Sequence, residues 1–335
     1  MSNILSSKKF HTIFGWTVSI VLLTWISLQV EWEIVLKELV HLNLWYLFPI
    51  TVFWLLHYVF RAYRWRYLLP EGKEVSIRIL FDSLMIGNMA TFVLPLRAGE
   101  FIRPYVLAKR SQHSFATGFS SIVIERFFDL SVVLLMLASV SPFIPDLPEW
   151  AIKGASILAL IGGAIFLFML VGAFFPKKIL RLNEFFLTPL PDGIKTKLHS
   201  FLAGLLEGTS VLRSAKRLMM TIVTSFLVWG SCMLSFHFGL FMFEGEWTYL
   251  MSLTLTVVVA LAVAAPSAPG FLGVFQTACV AALGLFGVSK ETAFAYSLIF
   301  HAYQYLCVCL YGIYALSVQH LSLKTLNERT TNSLS

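Results

Sequence analysis

The sequence predicts an all-α polytopic membrane protein with about six full spans and two oppositely oriented re-entrant helical hairpins. Three observations carry that expectation. The first is composition: of 335 residues, 58% are hydrophobic and only 13% charged, where a soluble domain carries about 25% charged residues. The second is run length, since several apolar stretches reach the roughly 20 residues needed to cross a bilayer. The third is the placement of positive charge along the chain, which sorts to one side. One transmembrane domain over 1–335 is expected, with a membrane core at 10–318.

The first span is read at about 11–30, behind Lys8 and Lys9. It is long, and Gln29-Val-Glu-Trp32 offers no small-residue cleavage site, so it is a span rather than a leader. Further spans are read at about 42–60, 118–140, 151–175, 218–243 and 292–318. With a cytoplasmic N-terminus, span one exits to Glu31, Glu33 and Glu38, and span two returns to Arg61, Arg64, Arg66, Lys73 and Arg78. After the next apolar run, basic residues appear again at Arg97, Arg103, Lys109 and Arg110. A full crossing between these clusters strands one of them outside. A re-entrant hairpin at 77–100 keeps both inside, and a second at 248–288 enters from the other face. In this topology both termini are cytoplasmic. Of the 25 Lys and Arg residues, only Lys37, Lys153 and Lys290 fall outside, and Arg126 lies within a span. Trp45, Tyr46, Trp150, Trp247 and Tyr249 fall at the outer span ends, as an aromatic belt requires.

The polar stretch 176–216 reads as a cytoplasmic loop. Leu198, Phe201, Leu202, Leu205 and Leu206 recur there at helical spacing, which predicts an amphipathic helix on the membrane surface. The tail at 326–335 is polar and read as disordered. The net charge of +7 is accounted for by the inside loops, so no nucleic-acid partner is expected. Cys232, Cys279, Cys307 and Cys309 all lie in apolar runs, with neither a disulfide framework nor metal spacing. No metal and no cofactor is expected.

The chemistry concentrates in two hairpins and one span. The first hairpin carries Asn88, Pro95, Arg97, Gly99, Glu100 and Arg103. Charge at that density beside membrane-grade sequence is costly unless it lines a cavity or binds something. The second reads Pro266-Ser267-Ala-Pro269-Gly270-Phe-Leu-Gly273, followed by Gln276. Proline removes a backbone donor and glycine permits a tight turn or a close approach. Both hairpins contain Pro-x-x-x-Gly, at Pro95–Gly99 and Pro266–Gly270. One reading is a kink in a packed helix. The other is paired broken helices at a substrate site, with Pro95, Gly99, Pro266, Pro269, Gly270 and Gly273 as hinges. In span 118–140, Glu125 and Asp129 share a helical face, and Arg126 is three residues from Asp129. Pairing Arg126 with Asp129 leaves Glu125 in need of a partner, for which Arg97 and Arg103 are the candidates. That knot either locks the hairpin to the span or also presents arginine to a phosphate. His237 and His301 read as hydrogen-bonded interior residues, and Tyr303 and Gln304 as candidates to face a cavity.

Leu94-Pro95, Arg97, Gly99-Glu100 and Arg103, then Glu125-Arg126 and Asp129, then Pro266, Pro269-Gly270 and Gly273 resemble the motifs of the lysylphosphatidylglycerol synthase transmembrane-region family. That family is also called flippase-like or UPF0104, and the resemblance covers roughly 10–318. It implies a multi-pass protein of the bacterial inner membrane that moves lipids between leaflets. The best-understood relatives flip aminoacylated phosphatidylglycerol made by a fused soluble domain. Others are linked to glycolipid, polyprenyl-lipid or hopanoid handling. This sequence departs in two places. It holds no aminoacyl transferase domain, so synthesis of lysyl lipid is not expected. Gln276 stands where the family often has Glu.

The function expected is therefore a lipid flippase for an anionic or polar-headgroup lipid of phospholipid, glycolipid or polyprenyl-phosphate type. The expected substrate-binding residues are Asn88, Arg97, Glu100, Arg103, Glu125, Arg126, Asp129, Ser267 and Gln276. The alternatives are a membrane-embedded enzyme acting on a lipid phosphate or sugar lipid, and a non-transporting scaffold. No nucleophile paired with histidine, metal cluster or phosphate loop favours the enzyme. The expected partner is a membrane lipid. There is room also for a lipid-synthesising enzyme and for a homo-oligomer.

Overall fold

The computed structural model describes residues 2–72, 74–144, 149–187, 192–264 and 267–319. Its regular elements, among these residues, are all helices: thirteen α-helices, with short 3-10 turns between some of them. Pro266 and the 326–335 tail lie outside the described residues.

Helices α1 (Ser2–Ser27) and α2 (Trp32–Val40) form a pair bent by 90°. The acidic segment after the first expected span is thus a helix. Val35 is buried on its inner side. Trp32 packs edge-on against Phe294, and Thr292 donates to Glu38 at 3.1 Å. These contacts lay α2 across the start of α13 (Lys290–Val318). Helix α3 (Leu47–Leu68) runs well past the expected end at residue 60. It carries Arg61, Arg64 and Arg66 into helix, because Arg61 and Arg64 find carboxylates inside the protein and have no need of water.

The region 77–110 is a helical hairpin of α4 (Ile77–Val93) and α5 (Gly99–Arg110). Ser76 caps α4 by accepting the Ile79 N–H at 3.3 Å. The hairpin closes tightly: a Cβ on Gly99 would lie 1.8 Å from the Gly87 carbonyl oxygen, and one on Gly87 would lie 2.7 Å from the Arg103 Cβ. Gly99 is therefore a close-approach residue more than a turn residue. Helices α6 (Phe115–Val140) and α7 (Glu149–Phe174) follow, and α8 (Pro176–Leu187) turns 97° from the second half of α7. The stretch expected to hold one amphipathic helix holds two, α8 and α9 (Asp192–Gly208). Helix α9 packs on α6: Ser120 donates to the Leu205 carbonyl at 2.7 Å and Thr117 to Glu207 at 2.8 Å.

Helix α10 (Ala215–Leu240) lies along α3 and precedes the second broken region. That region is α11 (Tyr249–Ala262), a 3-10 turn at Pro269–Phe271, and α12 (Val274–Gly284). Three stretches are long and apolar enough to cross a membrane: Leu44–Leu68, Ala215–Leu240 and Lys290–Val318. The count among described residues is five if each bent pair is one span. Helix α6 is 26 residues long but is not among them, since it holds Glu125, Arg126 and Asp129 near its middle.

The core falls into two apolar clusters. One gathers Trp65, Leu84, Met85, Ile102 and Ile124, and the other Ile26, Phe236, Phe275, Phe294 and Phe300. Helix α13 contributes to both. The hairpin packing leads to an expected outcome for paired glycine variants. Gly99→Ala meets backbone, whereas a Cβ on Gly230 meets nothing within 4 Å. By differential scanning fluorimetry in detergent, Gly99→Ala lowers the unfolding midpoint by at least about 4 °C or yields no folded protein, and Gly230→Ala stays within about 2 °C of wild type.

Candidate functional site

The site begins with one carboxylate. Glu125, in α6, has no solvent exposure. Arg103 of α5 grips it with two bonds, Nη1–Oε1 at 3.0 Å and Nη2–Oε2 at 2.8 Å. This bidentate fork is the strong form of the pair. Arg61 donates to Oε1 at 3.1 Å, and Arg64 and Arg126 each bring an Nη2 to 3.4 Å of the same oxygen. Asp129, one turn on, accepts from Arg64 at 2.7 Å, Arg126 at 3.3 Å and the Trp229 indole at 3.1 Å. Arg126 also reaches Glu100 at 3.3 Å. The guanidinium of Arg103 lies 3.8 Å over the ring of Trp65, whose indole donates to Ser121 at 2.7 Å. With every group ionised, four arginines face three carboxylates, and one positive charge is left over.

The partner that Glu125 needed is Arg103, and Arg126 does pair with Asp129 as the spacing predicts. The charge pattern places Arg61 and Arg64 in a loop, whereas the structure keeps both inside α3. The missed signal is helical spacing: His57, Arg61 and Arg64 fall at i, i+4 and i+7 in an unbroken aromatic-rich run from Trp54 to Leu68.

Beside this network lies a pocket of about 200 Å³ between α3, α6, α10, α11 and α13. It sits at the seam of the two apolar clusters, with walls that include Tyr58, Phe92, Phe236 and Phe275. Its charged lining residues are Arg61, Arg126 and Asp129. The Arg126 side chain is 47% exposed, while those of Arg64 and Arg103 are 0% and 4% exposed. Arg103 is committed to Glu125 and Trp65 and does not line the pocket. Gln304 lines the wall, whereas Tyr303 turns away to the hydroxyl of Thr51 at 2.6 Å. His301 lines it too, and His237 bonds Ser252 at 2.8 Å in the interior.

The two helix breaks meet at the pocket. Arg97 donates to the carbonyl of Val263 and lies 5.4 Å over the ring of Phe271. Phe92, Val263 and Phe271 all line the cavity. Among the described residues, the non-glycine positions with positive φ are Leu96 (59°), Arg97 (52°) and Phe271 (62°), all within these breaks. Such left-handed backbone costs roughly 1–2 kcal/mol per residue. Gly270 (69°) and Gly273 (81°) share the second break, where glycine takes that conformation freely. Helix α1 braces it, with the Ser19 hydroxyl accepting the Ala268 N–H at 3.0 Å. Gln276 accepts the Gly273 N–H at 2.8 Å and donates to His301 Nδ1 at 3.0 Å, so it fixes the start of α12 and orients His301. Asn88 donates to the Leu84 carbonyl of its own helix at 2.8 Å. Ser267 approaches α1, with its carbonyl close to Gly15. Asn88, Ser267 and Gln276 are not among the pocket's lining residues. Among the described residues, no three His, Cys, Asp or Glu side chains cluster as a metal site.

A model of the lysylphosphatidylglycerol synthase TM region matches residues 12–312. The UPF0104 membrane protein MJ1078 of Methanocaldococcus jannaschii is 26% identical over 226 residues, covering 66% of this chain and 89% of the relative. The UPF0104 membrane protein PH1989 of Pyrococcus horikoshii is 25% identical over 304 residues, covering 83% and 88%. The glycosyltransferase AglD of Haloferax volcanii is 31% identical over 84 residues, which is 25% of this chain and 14% of that protein. No solved structure matches the chain significantly.

The burial difference between two carboxylates generates an expected outcome. Glu125→Gln leaves four guanidiniums around a neutral amide and destabilises the protein by about 3–5 kcal/mol. Glu100, with a side chain 30% exposed and one ion pair, is worth less than about 1 kcal/mol. Thermal unfolding in detergent therefore ranks Glu125→Gln well below Glu100→Gln.

Proposed function

The chain belongs to the lysylphosphatidylglycerol synthase transmembrane-region family, and from that premise we propose that it moves a lipid with an anionic headgroup between membrane leaflets. The observation that carries this reading is the pocket: an apolar, aromatic-walled cavity whose charged lining is two arginines and one already-paired aspartate. Guanidinium suits a lipid phosphate because its fork of donors matches two phosphate oxygens. Arg61 and Arg126 are the residues that would hold it. Glu125, Arg64 and Arg103 would hold those two in place. The acyl or polyprenyl chains would stay in the bilayer, so that only the headgroup passes the pocket.

In this reading the chain makes six spans, with α4–α5 and α11–α12 as re-entrant hairpins from opposite faces. Both termini are cytoplasmic, and the membrane is a bacterial inner membrane. Alternating exposure comes from one hairpin rocking against the other at the contact of Arg97 with Val263 and Phe271. A lipid-synthesising enzyme is the natural partner, and a homo-oligomer is compatible with this layout. A second reading, an intramembrane enzyme acting on a lipid phosphate or sugar lipid, draws on the carboxylates beside arginines and on the name of one relative. That likeness spans only 14% of the glycosyltransferase concerned. A third, a non-transporting scaffold, predicts co-purification with a partner and no intrinsic activity.

The test is flipping of fluorescent phosphatidylglycerol in reconstituted vesicles, read by dithionite quenching. Arg61→Gln and Arg126→Gln each lower the initial rate by roughly 10- to 150-fold, as expected for loss of a charge-assisted hydrogen bond of about 1.5–3 kcal/mol. An unchanged rate in the double variant overturns the assignment. Chemical conversion of the lipid by purified protein moves it to the enzyme reading.

A further inference from the structure

We infer that His57 selects the headgroup, as the hydrogen-bond acceptor that reads a hydroxyl carried beside the lipid phosphate. The inference rests on the lipid-transport reading of the same pocket and names the substrate feature it recognises. Trp54, His57, Tyr58 and Arg61 fall three and four residues apart on α3, and all line the cavity. His57 Nδ1 is 3.0 Å from the backbone carbonyl of Val228 on α10. A carbonyl oxygen only accepts, so Nδ1 carries the proton and the neutral ring leaves a lone pair on Nε2.

Beside the hydroxyls of Tyr58, Ser235 and Thr256 and the amide of Gln304, which can both donate and accept, the polar lining includes several donors. Trp54 Nε1 is buried with no hydrogen-bond partner. His301 takes the Gln276 amide on Nδ1, which puts its own proton on Nε2. Arg61 and Arg126 add charged donors. Asp129, the anionic wall residue, is already taken up by Arg64, Arg126 and Trp229. A phosphate absorbs the donors. The Nε2 lone pair of His57 then calls for a donor on the ligand itself, within reach of the group held by Arg61. An ammonium there meets two guanidiniums, whereas a hydroxyl satisfies the histidine without added charge.

The experiment compares two probes of equal charge and equal chains. Phosphatidylglycerol carries headgroup hydroxyls, and phosphatidylpropanol has none. Binding to the purified full-length chain is measured by native mass spectrometry after delipidation. Wild type binds phosphatidylglycerol about 3- to 10-fold more tightly, the range of one net hydrogen bond. His57→Phe makes the two equal, and His57→Gln, which retains an acceptor, keeps most of the preference. Equal binding of the two lipids by wild type overturns the inference, and this comparison stands without either variant. A preference that survives His57→Phe also overturns it. If wild type binds neither lipid, the anionic-lipid reading of the pocket fails, and the role of His57 fails with it.

Discussion

A carboxylate sealed from water inside a membrane-spanning bundle is the constraint from which the rest follows. Glu125 is tolerable only if positive charge surrounds it, since an uncompensated buried ion is worth several kcal/mol against the fold. The compensation comes from three directions. Arg103 arrives on the first hairpin, Arg61 and Arg64 on α3, and Arg126 from the same helix as Glu125. One side chain thereby ties α3, α5 and α6 together. It also dictates that α3 remain helical to Leu68, because Arg64 must project inward there.

The second constraint is backbone. Two helices are interrupted within the apolar core, and their interruptions touch. The strained residues Leu96, Arg97 and Phe271 sit at that contact and nowhere else among the described residues. Strain of this kind persists only where the surroundings enforce it. Here the enforcement is visible on both sides: the Gly87–Gly99 approach holds the first break, and Ser19 and Gln276 hold the second. Between the braced breaks and the arginine network the two apolar clusters fail to merge, and the pocket occupies the gap.

Much of this was legible in the chain, for identifiable reasons. Apolar run length and the sorting of charge gave an all-helical membrane protein, because bilayer thickness and insertion act on sequence directly. The Arg126–Asp129 pair and the need of Glu125 for an arginine of the first hairpin, Arg97 or Arg103, follow from spacing and from the cost of buried charge. Arg61 and Arg64 were not legible by the same rule, since the positive-inside pattern reads any arginine near a span end as solvated. The right-angle turn into α2 was hidden because a short amphipathic helix and an acidic loop look alike at that length. Gln276 reads in the sequence as a substrate-binding residue standing where the family often has Glu, and in the structure its amide caps α12 and orients His301. The pocket wall of Trp54, His57 and Trp229 comes from helices distant in sequence, and no local pattern announces it.

The separation between a sealed hub and an accessible rim has a consequence for divergence. Glu125, Arg64 and Arg103 keep the scaffold upright and have no view of the cavity, while Arg61, Arg126 and their aromatic neighbours look into it without sole responsibility for the architecture. Substitution at the rim thus costs the fold less and changes selectivity more, whereas substitution at the hub is the reverse. A scaffold partitioned in this way is free to acquire new molecular tastes by drift at a handful of wall positions, with its keystone untouched.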